Sequence, residues 1–110
     1  MTVQDITSVL QATVAVEGDT SREVTSGYSC DLLSEVIAKA VHGSAWATIQ
    51  THVNVVAVAA MVGVSVVIVC EGRSFESVAL EHASEEHLAV LYSKDSAFVV
   101  SGKLYSLGLR

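Results

Sequence analysis

A chain of 110 residues and 11.6 kDa has room for one hydrophobic core, not for a catalytic domain beside a regulatory one. Hydrophobic residues make up 51%, charged residues 16% and proline is absent, which excludes a disordered, solvating chain. The formal charge of -6 repels phosphate backbones and anionic lipid surfaces, so neither a nucleic-acid partner nor a membrane partner is expected.

Thr2 and Asp5 stand at capping-box spacing, and Val3, Ile6, Val9 and Leu10 share one helical face, which predicts a short amphipathic helix. Residues 13–16 alternate as a strand does, and the strand stops at Glu17, Gly18 and Asp19 before a polar loop through Arg22. Residues 24–30 read as the next strand, Asp31 as an N-cap, and Leu32, Leu33, Val36 and Ile37 as the buried stripe of a helix ended by His42, Gly43 and Ser44. Residues 45–50 form another strand, and Thr51 or Asn54 caps the helix that follows.

Residues 55–70 contain no charge, and a hydropathy window would flag them as a membrane span. The run is slightly short for a bilayer, and its composition changes midway. Ala57, Ala59, Ala60 and Met61 suit a helix, whereas Val64, Val66, Val67, Ile68 and Val69 suit a strand, with Gly63 at the join. A helix ended by glycine and followed by a strand buried on both faces accounts for both halves. Ser74 and Ser77 then start a helix carrying Val78, Ala79 and His82, and residues 88–92 form a further strand. Asp95 caps a last helix that packs Phe98, Val99, Leu104 and Leu107, with Trp46 and Phe98 assigned to the core. The repeated alternation predicts one layered α/β domain over residues 1–110: a mostly parallel sheet of four to five strands with helices on both faces.

Polar residues gather after the carboxyl ends of the predicted strands: Cys30 and Asp31; Gln50, Thr51, His52 and Asn54; Glu71, Gly72 and Arg73; Ser93, Lys94 and Asp95. In a parallel sheet these ends share one edge, where helix N-termini favour an anionic ligand. Capping explains Asp31, Ser74 and Asp95, but Gln50, Thr51, His52 and Asn54 exceed what one cap needs. The stretch Glu81, His82, Glu85, Glu86 and His87 reads as a solvated face. An imidazole can donate to a phosphate, move a proton or ligate a metal, so an enzyme or a metal- or thiol-dependent redox accessory using His52 with Cys30 or Cys70 is the alternative. No CxxC or HxxxH spacing supports a metal set, and no GxxxxGK[ST], GxGxxG or GxSxG motif occurs. No metal, cofactor or catalytic residue is therefore assigned. With no export signal after Met1 and no cysteine framework, a reducing cytoplasm is the expected setting.

Arg22, Val24 and Gly27 within residues 21–27, the Thr51, His52, Val53, Asn54 helix entry, and Gly72 with Arg73 after an apolar strand together resemble the DRTGG domain family over nearly the whole chain. Ser21 stands where that family commonly has an acidic residue, and Ser26 where it commonly has glycine. The small stand-alone members are similar to the N-terminal domain of HPr kinase/phosphorylase, and their genes often accompany iron-hydrogenase and redox genes. The resemblance implies a regulatory module without catalysis, dimer contacts, a redox-enzyme partner, and Ser26 and Gly27 as further ligand contacts. The resulting expectation is a non-catalytic homodimer that binds a small anionic ligand, such as a nucleotide, through Ser26, Gly27, Gln50, Thr51, His52, Asn54, Gly72 and Arg73. Excess apolar content in a short chain is a second reason to expect the dimer.

Overall fold

In the computed structural model, which describes residues 1–110, helix α1 (Val3–Leu10) begins on the expected capping box. The Thr2 hydroxyl accepts the Asp5 N–H and the Asp5 carboxylate accepts the Thr2 N–H, so two otherwise orphaned donors are satisfied. Strand β1 (Thr13–Val16) follows, then β2 (Ser26–Ser29), α2 (Leu33–Lys39), β3 (Ser44–Thr48), α3 (Val53–Val62), β4 (Val66–Val69), α4 (Ser77–Glu85), β5 (Ala89–Tyr92) and α5 (Ala97–Ser106). The five strands form one sheet in the order β1-β5-β4-β3-β2, parallel from β2 to β5, with β1 antiparallel against β5.

The direction of β1 follows from its connection. No helix separates β1 from β2, and a parallel strand needs a crossover to carry the chain back. An antiparallel β1 instead finishes at the end of the sheet where β2 starts, and residues 17–25 run along that end. Val3 N–H donates to the Arg22 carbonyl at 3.0 Å, Val24 N–H to Met1 at 2.7 Å and Thr25 N–H to Gly43 at 3.0 Å. Gly18 has φ +58°, and a Cβ there would collide with the Ala89 backbone nitrogen.

Strands β2 to β5 step in one direction across the sheet, and crossovers of constant hand put α2, α3 and α4 on the same face. There Trp46, Val67, Val69 and Val90 pack with Val36, Val55, Ala59 and Ala79. Helices α1 and α5 cover the other face, where Ile6, Leu10 and Leu104 meet Ala45, Ile68 and Leu91. The uncharged run over residues 55–70 divides as its composition predicts: α3 ends at Gly63, with φ +84°, and β4 is fully buried. No helix is long and apolar enough to cross a membrane.

Three caps move. The N-caps of α2 and α4 are Leu32 and Glu76, neither with a side-chain cap, and Ser96 caps α5 by accepting the Val99 N–H at 3.1 Å. Asp31 is drawn instead to the neighbouring strand, where one carboxylate oxygen accepts the Thr48 hydroxyl and the Ile49 N–H, both at 2.9 Å. Asp95 pairs with Lys103 at 3.0 Å. Several apolar expectations also change. Val9, Leu32, Ile37, Val78 and Val99 are exposed, and Phe98 is 87% exposed. Val100 and Leu104 set the buried side of α5, and Phe98 lies two residues, about 200°, around the helix from Val100.

Candidate functional site

Because β2 to β5 run the same way, the segments after them meet along one rim, and backbone hydrogen bonds tie those segments together. Glu76 N–H donates to the Thr51 carbonyl at 3.3 Å, which joins the β4–α4 loop to the β3–α3 loop. Glu71 N–H donates to the Asp95 carbonyl at 2.8 Å and Gly72 N–H to Ser93 at 3.0 Å, which joins the β4–α4 loop to the β5–α5 loop. Gln50, Thr51, His52, Asn54, Gly72 and Arg73 therefore belong to one end of the sheet.

Two of these side chains already serve the fold. His52 is the N-cap of α3, its Nδ1 accepting the Asn54 N–H at 3.1 Å. Gln50 Nε2 donates to the Asp31 carbonyl at 3.0 Å. Thr51 is half-buried, while Asn54, Gly72 and Arg73 are exposed. Ser26 and Gly27 are not brought to this rim. They open β2 beside Ser44 and Ala45, at the amino end of the strand and so away from the rim of carboxyl ends. Arg22 also sits away from the rim, its guanidinium donating to the Gly63 and Val64 carbonyls at 2.8 and 3.1 Å beyond the end of α3.

Between β4 and β5 the rim opens into a cleft of about 190 Å³. Gly72, Arg73 and Ser74 form one wall; Tyr92, Ser93 and Lys94 form the other, with Thr13 of β1 alongside. The Tyr92 hydroxyl accepts the Phe75 N–H at 2.9 Å, and the Ser93 hydroxyl accepts the Asp95 N–H at 3.1 Å. Thr13, Ser74, Tyr92, Ser93 and Lys94 are the lining residues that sequence reasoning did not select as ligand contacts. The polar run after residue 92 was a visible signal for Ser93 and Lys94. Thr13 had none, because it reaches the cleft only through the antiparallel return of β1 beside Tyr92.

The thiols are poorly placed for chemistry. Burial pushes the Cys70 thiol up to about 11, against a smaller lowering by its backbone hydrogen bond near Thr48, so at neutral pH it is not a thiolate. Cys30 is half-buried, its sulfur 3.7 Å from the Leu32 carbonyl. No three His, Cys, Asp or Glu side chains come together in a cation-holding group.

The fold is similar to the crystal structure of the CBS and DRTGG domains of the regulatory region of Clostridium perfringens pyrophosphatase complexed with the activator diadenosine tetraphosphate. The likeness has a TM-score of 0.77 at 14% identity, covers 94% of this chain and spans 45% of that one. No family model matches the chain, and no curated protein does.

Proposed function

We propose that the chain is a non-catalytic regulatory module, a DRTGG-like domain, that binds a small anionic ligand such as a nucleotide on the rim formed by residues 50–54 and 72–73. The observation that carries this reading is the backbone link from Glu76 to Thr51, which holds the two loops side by side at the carboxyl ends of parallel strands. The similar fold of a regulatory region crystallised with a nucleotide activator supports the same ligand class. The reactive side chains are engaged elsewhere: His52 caps a helix and Cys70 stays protonated. Calorimetry with AMP, ATP and diadenosine tetraphosphate, followed by chromatography of the recovered ligand, tests both halves. Saturable binding weakened by salt, with the ligand unchanged, is expected. Failure of all three to bind at millimolar concentration, or their consumption, contradicts it.

The proposal includes a homodimer, supported by the outer side of α5, where Phe98 and Val99 are exposed side by side. Light scattering should then give a dimer that Phe98→Glu converts to a monomer. A monomeric wild type at high micromolar concentration contradicts it.

A further inference from the structure

The β4 and β5 ends differ from the rest of the rim in where their chains go next. After β4 the chain enters α4 on one face of the sheet, and after β5 it enters α5 on the other. Neighbouring strands whose connections part to opposite faces leave a crevice between their carboxyl ends, whereas β3 and β4 both feed the same face and leave none. We infer that this crevice, between Arg73 and Lys94, is the seat of a phosphate group; the inference rests on the rim reading above and narrows it to one place.

Charge selects the same location. Of the six Lys and Arg residues, four are engaged: Arg22 with two carbonyls, Lys39 with Glu35, Lys103 with Asp95, and Arg110 with the Tyr105 and Leu109 carbonyls and the Tyr105 ring. The side chains of Arg73 and Lys94 make no ion pair or hydrogen bond, and both residues line this cleft. The chain has twelve carboxylate residues, yet none lines it.

The remaining lining is rich in unused donors. Ser93 is 6% exposed and its hydroxyl oxygen accepts from Asp95, so its proton remains free; the Tyr92 hydroxyl is in the same position with Phe75. Ser74 and Thr13 add two more hydroxyls. The Glu71 and Gly72 N–H groups are spent on the β5–α5 loop and that of Arg73 on the Cys70 carbonyl, so side chains supply most of the donors. Donors arriving from two walls match the spread of acceptor oxygens on a phosphate dianion. A planar carboxylate would be saturated by the arginine fork alone.

Titration calorimetry with AMP, inorganic phosphate and malonate separates the possibilities, using wild type, Arg73→Ala, Lys94→Ala, His52→Ala and Asn54→Ala. Both cations are exposed and free of structural bonds, so their variants should keep the wild-type circular dichroism. AMP and phosphate should bind more tightly than malonate, and each cation variant should weaken AMP roughly tenfold or more, while the His52 and Asn54 variants, whose residues lie elsewhere on the rim, should weaken AMP by less than either cation variant does. Malonate binding as tightly as phosphate overturns the ligand class. AMP binding that survives both cation substitutions but disappears in His52→Ala or Asn54→Ala overturns the seat and leaves the rim reading standing. If no anion binds wild type, both fall.

Discussion

Arg22 shows how a residue singled out by family resemblance can have a structural task. Its two guanidinium bonds reach the Val64 carbonyl and the Gly63 carbonyl, which also accepts the Gly43 N–H at 2.8 Å, where α3 gives way to β4. Arg22→Ala should lower unfolding stability in urea by about 1.5–3 kcal/mol, the usual worth of hydrogen bonds to a charged group, without changing anion affinity. A loss of AMP binding in a folded variant would show instead that the loop contributes to the ligand site. Cys70 gives a second prediction at this scale. Its thiol is held near 11 by burial, against an ordinary value of 9.0, so the folded protein keeps a proton that the unfolded chain releases. Stability from this group is therefore complete below pH 9 and is lost as pH rises from 9 towards 11, by up to about 1.4 kcal/mol per unit. Equilibrium unfolding across that window should show the decline in wild type and a flatter profile in Cys70→Ala, which will itself be less stable for the cavity it leaves.

At the scale of elements, two glycines separate necessity from convenience. Gly63 adopts φ +84° at the end of α3, and a Cβ there meets the His42 ring, so Gly63→Ala should cost about 1–2 kcal/mol from the backbone conformation alone. Gly102 lies within α5 with nothing within 4 Å of a Cβ, and Gly102→Ala should raise stability by up to about 1 kcal/mol through helix propensity. Thermal unfolding of the two variants should therefore shift in opposite directions. The same region shows what the sequence makes legible. The α3–Gly63–β4 unit follows from a change of residue type at one glycine, because backbone preference and burial agree there. The caps Asp31, Ser74 and Asp95 were misplaced because loop residues choose between a helix end and a neighbouring strand, and that choice depends on which strand is adjacent. Phe98 was misplaced because an apolar run in a short helix does not reveal which residue starts the buried side; Val100 and Leu104 do so only once the sheet is in place. The rim residues 50–54 and 72–73 were legible because they follow strands. The cleft was not, since it depends on α4 and α5 taking opposite faces and on β1 returning antiparallel.

The whole molecule is polarised along its strands. One end carries the structural loop of residues 17–25, with Arg22 closing α3 and Ser65 Oγ donating to the Glu23 carbonyl at 2.6 Å. The other end carries the cleft and the two unpaired cations within a chain of net charge -6. An acidic exterior with one cationic recess favours a compact anion over an extended polyanion, which the surrounding carboxylates would repel. Amide chemical-shift mapping during an AMP titration reads this division directly. The account predicts that the largest saturable shifts fall on residues 72–74 and 92–95, with smaller ones on 50–54 and none around Arg22, His42 and Gly63. Largest shifts at that opposite end, or along β2 at Ser26 and Gly27, would contradict it.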